Sequence, residues 1–217
     1  MSKFLGKIHY WLFDKIAWFE SLEQEIIDWG KGKSDLSMNE WQKESIEKFG
    51  APVGKVALED VIDTSNIHGW LQDKINRAEL RQAFIITKVI ESANGESYKE
   101  DLKNIYKSQG TAAGAKHKGE YALETPDEIF NVINNYILEG MPCDRVNEVS
   151  ENTKDVFSWF TTTCLHTQYW NQVQGNVSNF YALREEWTRA FVEALSDEYA
   201  YEVKDENGHR LNTIYRK

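Results

Sequence analysis

A nine-residue phrase, Ile-His-x-Trp-Leu-x-Asp-Lys-Ile, occurs twice in this chain and constrains its fold more than any other feature. The copies lie at Ile8–Ile16 and Ile67–Ile75, an offset of 59 residues. Three further identities keep this offset: Glu20 and Glu79, Ile26 and Ile85, Ile27 and Ile86. Similarity at a fixed offset indicates a duplicated structural unit, and two copies are too few for a solenoid. We therefore expect two related helices packed side by side, with His9 and His68 in comparable positions.

Long amphipathic helices are predicted for the first half of the chain. From Phe4 to Trp29 the apolar residues recur every three or four positions, which is the pattern of a helix with one buried face. Ser37 and Glu40 have the spacing of a capping box at the start of a short helix that runs to Phe49. The second copy of the repeat is expected to form a helix that continues to about Ser92.

Two more helices are predicted before the pattern changes. One begins near Tyr98, and the Gly-x-x-x-Gly spacing of Gly110 and Gly114 favours a continuous helix in close contact with a neighbour, although each glycine costs about 1 kcal/mol relative to alanine. The next begins at Thr125, which precedes Pro126 and two acidic residues. Its predicted end is Gly140.

Short segments rich in β-branched and aromatic residues then predict two hairpins, separated by a helix over 165–195 that is interrupted near Gly175. The Asn-Gly pair at 207–208 is a strong hairpin signal. The predicted strands are Arg145–Ser150, Asp155–Thr163, Tyr199–Val203 and Leu211–Tyr215. The fold class is therefore α+β and mainly helical, with long N-terminal helices and a small antiparallel sheet in the C-terminal half. We expect a helical region over 1–96, an α+β small-molecule-binding region over 97–217, and a small-molecule pocket between the two halves.

Charge and cysteine content narrow the class of protein. The net charge of −10 disfavours binding to nucleic acid, which needs a basic surface against the phosphates. No apolar run is long enough to span a bilayer, and no leader peptide opens the chain. Cys143 and Cys164 are the only cysteines, too few for a disulfide framework, so we expect a reducing, cytoplasmic setting.

Cys164 is the first candidate for chemistry, since it is predicted to lie where a strand gives way to a helix. A thiol at a helix N-terminus has a lowered pKa because of the helix dipole and the unpaired backbone N–H groups. His166, two residues further on, is a candidate proton partner, and the two side chains are also candidate metal ligands. The alternative is that Cys164 is a small buried residue and His166 a surface residue.

His9 and His68 lie at the flanks of the two apolar stripes. Histidines in such positions often only bind a neighbouring backbone carbonyl. The alternative is that they line a polar cavity together with His166. Three imidazoles, or two with the Cys164 thiolate, would suit zinc or another transition metal, although no local Cys-x-x-Cys or His-x-x-x-His supports such a site. Lys74, close to the centre of its stripe, either extends along the core edge or faces a cavity where it would bind an anionic substrate.

Four features follow one another between about Tyr98 and Tyr215. They are a helix with paired glycines, a hairpin that ends at Cys164, the run Cys-Leu-His-Thr-Gln-Tyr-Trp and a closing hairpin. This order resembles the L-2-amino-thiazoline-4-carboxylic acid hydrolase-like family. The resemblance implies an α+β fold and hydrolysis of a C–N or C–S bond in a small thiazoline-like or amidine-like compound, with Cys164 as the reactive thiol.

The sequence thus predicts a hydrolase in which Cys164 and His166 are catalytic. His9, His68, Lys74 and Tyr169 are its expected substrate-binding residues. One alternative is a non-catalytic module that binds a small ligand or a metal through the same cysteine and histidines. Another is a helical interaction protein whose repeated face binds a partner. The expected partner is a small molecule, with nucleic acid and membranes excluded and a homo-oligomer left open.

Overall fold

The computed structural model describes residues 5–120, 123–206 and 208–217, which form eight α-helices, one short 3-10 helix and four strands. The predicted fold class, mainly helical α+β with a small antiparallel sheet, is confirmed. The helices are α1 (Lys7–Lys31), α2 (Met38–Phe49), α3 (Leu58–Val61), α4 (Ile67–Ile90), α5 (Gly95–His117), α6 (Pro126–Ile133), α7 (Thr167–Gln172) and α8 (Val177–Leu195). The strands are β1 (Asn147–Asn152), β2 (Val156–Thr161), β3 (Tyr199–Glu206) and β4 (His209–Arg216).

Two compact units are present. Unit 1 contains the described residues up to Lys99, together with the segments Tyr136–Pro142 and His166–Val177. Unit 2 is made of Glu100–Asn135, Cys143–Leu165 and Ser178–Lys217. The predicted division at 96/97 cuts the chain once, whereas each unit is built from three separate stretches.

Helices α1 and α4 of unit 1 run side by side in the same direction, as the repeat predicts. The rings of His9 and His68 lie 5.6 Å apart at the N-terminal ends of the two helices. Further along, the Gln82 amide donates a hydrogen bond of 3.3 Å to the Phe19 carbonyl. The matching apolar residues are buried in both copies: Leu12 and Leu71, Ile16 and Ile75, Ile26 and Ile85, Ile27 and Ile86. Burial of these equivalent side chains is the main force that stabilises the pair.

Local chemistry sets where these helices begin and end. The Asn66 side chain accepts a hydrogen bond from the Gly69 N–H at 3.2 Å and so caps α4. Ser37 precedes α2 as expected, but it makes no side-chain cap bond, so the predicted capping box with Glu40 is wrong. Gly50 ends α2 with a φ of +89°, a conformation that glycine adopts without steric cost.

Helix α5 is continuous through Gly110 and Gly114, which both lie in unit 2. Gly110 and Gly114 lie against the backbone carbonyls of Trp187 and Phe191 on α8, where a β-carbon would collide with those oxygens. The predicted close helix contact is therefore confirmed. The Trp187 indole N–H donates to the Gln109 side-chain oxygen at 3.0 Å, which satisfies two buried polar groups beside this contact.

The two predicted hairpins join into one antiparallel sheet of order β1-β2-β4-β3. Phe130 of α6 packs on one face of this sheet, with ring centroids 4.9 Å from Phe157 and 4.7 Å from Trp159. Helix α6 ends at Ile133 and not at Gly140, because the following asparagines have low helix propensity and the chain turns there. The predicted interruption near Gly175 is confirmed by the gap between α7 and α8. In the predicted second turn, Asn207 lies outside the described residues.

No helix within the described ranges is both long and apolar enough to cross a membrane.

Candidate functional site

His166 occupies the N-cap position of α7, where the chain enters the helix after leaving strand β2. Its side chain is 1% exposed. A buried histidine in unit 1 is surrounded by the other segments of that unit, so its ring nitrogens need partners that are also buried.

Two carboxylates lie beside those nitrogens, one on each side of the ring: Glu79 as an ion-pair contact at Nδ1 and Glu139 as a hydrogen-bond partner at Nε2. Nδ1 of His166 lies 3.1 Å from Oε1 of Glu79 on α4, and Nε2 lies 3.3 Å from Oε1 of Glu139. The Glu79 side chain is 2% exposed and that of Glu139 is 12% exposed. We call these three residues the Glu-His-Glu cluster. Each comes from a different segment of unit 1, so the cluster holds the three segments together.

The protonation state of His166 follows from competing effects. Burial by itself lowers the pKa of the imidazole, but the charge of Glu79 and the hydrogen bond and charge of Glu139 outweigh it and raise the pKa of His166 to about 9. The ring is therefore an imidazolium at neutral pH. In that state it donates hydrogen bonds or a proton, and it does not act as a base.

Neutral polar groups extend the cluster along α4. The Tyr169 hydroxyl donates a hydrogen bond of 2.6 Å to the side-chain oxygen of Asn76, and the Gln72 amide donates to the same oxygen at 2.9 Å. Asn76 and Glu79 are three residues apart and share one face of the helix, the face toward α7. The predicted site residues His166 and Tyr169 are thus brought to the same face of α4.

Sequence reasoning missed the partners of these residues. Glu79 carried a signal, since it repeats Glu20 at the offset of the duplicated phrase. Asn76 and Glu139 carried none, because nothing in the sequence places residue 139 beside residue 166.

A second buried ion cluster lies on the α1 side of the helix pair. Arg81, which is fully buried, donates through Nε to Glu23 at 3.0 Å and through Nη2 to Glu20 at 2.6 Å. Its Nη1 donates to the Gly50 carbonyl at 3.0 Å, and Glu20 accepts from the Val53 N–H at 2.9 Å. Burial raises the pKa of Glu20, and it raises the pKa of Glu23 to about 7 despite the nearby guanidinium. Arg81 binds both carboxylates, and with a pKa of about 7 the Glu23 carboxyl is partly protonated at neutral pH, which reduces the excess negative charge; we therefore interpret this cluster as structural.

Cys164 lies in the loop between β2 and α7 and is exposed to solvent. Its expected position at a helix N-terminus is not observed, because α7 begins at Thr167 and His166 takes the N-cap position. Cys143, in the 3-10 helix Pro142–Asp144, is exposed as well, and neither cysteine forms a disulfide. The alternative in which Cys164 is buried and His166 exposed is wrong for both residues.

His9 and His68 are neighbours, as the repeat predicts, and His68 is exposed. Nδ1 of His9 accepts a hydrogen bond of 2.9 Å from the Gly6 N–H, which caps α1. Within the ranges that the structure describes, no three His, Cys, Asp or Glu side chains are grouped so that they could hold a metal ion.

The two repeat lysines stack on tryptophans of the same helix. Lys74 Nζ lies 5.0 Å from the Trp70 ring centroid and 3.6 Å from Asp73, and Lys15 Nζ lies 4.0 Å from the Trp11 ring centroid. The cation–π contact thus repeats with the sequence phrase and explains why a lysine is tolerated on the apolar stripe.

No family model, curated protein or solved structure matches this chain.

Proposed function

We propose that unit 1 binds a small cationic compound of the amidine or thiazoline class at the Glu-His-Glu cluster. With His166 protonated and Glu79 and Glu139 ionised, the cluster carries one net negative charge. A small cation bound beside Glu139 would be attracted by this negative charge. The observation that carries the proposal is the arrangement of two carboxylate oxygens within 3.3 Å of the two nitrogens of one imidazolium.

The shape of the cluster supports this class of ligand. Glu139 is the more exposed of the two carboxylates, so it is the one that a ligand can reach. A protonated amidine presents two N–H groups in one plane, which match the two oxygens of a carboxylate. Functional sites also typically contain clusters of titratable residues in which burial and neighbouring charges shift a pKa strongly.

Calorimetric titration of the full chain at neutral pH tests the proposal. Benzamidine and 2-aminothiazoline are the probes, and benzamide is the neutral counterpart of similar shape. We expect the cations to bind and benzamide not to bind, and we expect Glu139→Gln to weaken cation binding at least tenfold, which corresponds to about 1.4 kcal/mol. Glu47→Gln, an exposed position on α2, is the control and should bind as the wild type does. Equal binding of benzamide, or unchanged affinity in Glu139→Gln, would contradict the proposal.

A second candidate function is hydrolysis by Cys164, as the family resemblance implies. It is favoured by the exposure of a reduced thiol in a loop, where a small substrate has access, and a cytoplasmic setting would keep that thiol reduced. The thiolate would attack the amidine or thiazoline carbon, the amine or ring thiol would leave, and water would then release the product and restore the thiol.

This candidate is tested by following substrate loss by chromatography. Cys164→Ser should lose turnover, whereas Cys143→Ser, the matched exposed thiol, should keep it. Equal turnover in the wild type and in Cys164→Ser would exclude the thiol mechanism while leaving the binding proposal intact.

A further inference from the structure

The two cysteines of the chain lie at the same end of the β1–β2 hairpin. The last paired residues of the ladder are Asn147 and Thr161. The pairing continues for one more step, because the N–H of Thr162 donates to the Val146 carbonyl at 2.8 Å and its hydroxyl donates to the same oxygen at 3.1 Å. In an antiparallel pair, the residues before one strand face the residues after the other.

This register places Cys143 three residues before Val146 and Cys164 two residues after Thr162. Directly facing residues of an antiparallel pair have Cα atoms about 4.5–5.5 Å apart. If the same register continued, Cys164 would face Asp144, the chain neighbour of Cys143, whose Cα lies one step of about 3.8 Å away. A disulfide needs Cα atoms about 4.4–6.8 Å apart, so the two chain ends would have to approach this continued pairing.

The chain is irregular at both cysteines, which makes such a change feasible. Cys143 lies in a single 3-10 turn, and Arg145, directly after that turn, has a φ of +49°. Cys164 lies in the loop that follows β2. Neither position is held by a strand ladder, and both thiols are exposed to small oxidants in solvent.

We propose that Cys143 and Cys164 form a reversible disulfide when a peroxide oxidises the protein. One thiolate attacks an oxygen of hydrogen peroxide and becomes a sulfenic acid, and hydroxide leaves. The hydroxide takes up the proton that the thiol released and becomes water. The sulfur of the other cysteine then attacks the sulfenic sulfur and displaces a second water molecule. Two thiols lose their hydrogens, and one peroxide is reduced to two waters.

The bond closes the base of the hairpin into a loop of 22 residues, from Cys143 to Cys164. It would restrict fraying of β1, which is exposed and lies at one edge of the four-stranded sheet, beside β2. If Cys164 is a nucleophile, the same oxidation stops its reaction until a reductant restores the thiol. The disulfide itself does not depend on either proposed function.

Mass spectrometry of the reduced full chain treated with one equivalent of hydrogen peroxide tests the proposal. We expect the monomer to lose about 2 Da, the mass of two hydrogens, with full reversal by dithiothreitol. Digestion without reduction should yield one cross-linked peptide pair that contains Cys143 and Cys164. Amide exchange over residues 147–161 should slow after oxidation. Cys143→Ser and Cys164→Ser are matched controls, and each should instead gain oxygen at its remaining cysteine.

Two outcomes would overturn the proposal. In one, the wild type gains oxygen at each cysteine at the rates of the single variants, and no cross-linked peptide forms. In the other, the cross-link joins two molecules, so that a dimer appears at a rate that rises with protein concentration.

Discussion

Glu20 and Glu79 occupy equivalent positions in two parallel helices, and each pairs with a buried cation of different chemistry. Glu20 binds the Arg81 guanidinium at 2.6 Å, whereas Glu79 lies 3.1 Å from the His166 imidazolium. A guanidinium stays charged at all accessible pH values, but an imidazolium loses its proton. The duplicated carboxylate therefore pairs in one copy with a cation that keeps its charge and in the other with a cation that can lose it.

The pH dependence of stability should reveal the second cluster. The pKa of His166 is about 9 in the folded chain and 6.5 in the unfolded one. Between pH 6.5 and pH 9 the folded state therefore binds more protons than the unfolded state. The stabilisation that protonated His166 contributes is complete below pH 6.5 and is lost as the pH rises through 9. The full change is on the order of 3 kcal/mol.

Urea unfolding of the wild type and of His166→Gln at pH 6, 7.5 and 9 measures this change. The difference in unfolding free energy between the two proteins should shrink as the pH rises. A difference that is constant across the range would show that the pKa of His166 is not raised in the folded state.

Removal of Arg81 should be severe, because it leaves two carboxylates buried without a cation. Arg81→Met is expected to cost roughly 3–5 kcal/mol in the free energy of unfolding. Arg77→Met, one turn earlier on α4, removes a half-exposed pair with Asp73 and should cost no more than about 1 kcal/mol. Chemical denaturation of the two variants at pH 7 makes the comparison, and similar losses would contradict the structural role of the Glu20–Arg81–Glu23 cluster.

Close packing of α5 against α8 predicts a large cost for any side chain at Gly114. Gly114→Val forces the β-carbon against the Phe191 carbonyl and should destabilise the protein by about 1–3 kcal/mol or more. Ala112→Val, on the exposed side of the same helix, should cost only its lower helix propensity, about 0.6 kcal/mol. Thermal unfolding followed by circular dichroism distinguishes the two, and equal midpoints would exclude the close contact.

Asn66 and Ser37 both belong to the residue types preferred at the N-cap of a helix, but their contributions to the free energy of unfolding should differ. Asn66→Ala removes a side-chain bond to Gly69 and is expected to cost about 1 kcal/mol. Ser37→Ala removes no such bond and should change the unfolding free energy by less than about 0.5 kcal/mol. Denaturant midpoints give both values, and a larger loss at Ser37 would reverse the assignment.

The sequence by itself determined the secondary structure classes and the helix pair. Three local patterns carried this information: apolar periodicity, the repeated phrase at a constant offset and the Gly-x-x-x-Gly spacing. Each predicts a contact that depends on one helix face or one turn. For this reason the side-by-side α1–α4 pair, the proximity of His9 and His68, the close packing of α5 against a neighbour and the two hairpins were predictable, whereas the identity of that neighbour, α8, was not.

Only the tertiary structure decided the candidate site. His166 is buried because the segments that carry Glu79 and Glu139 meet around it, and these residues are 87 and 27 positions away along the chain. Its charge is set by those two neighbours, since burial alone would lower its pKa and keep the ring neutral. Long-range electrostatics of this kind leave no periodic or spacing signal, so the sequence indicated the histidine and the fold supplied its chemistry.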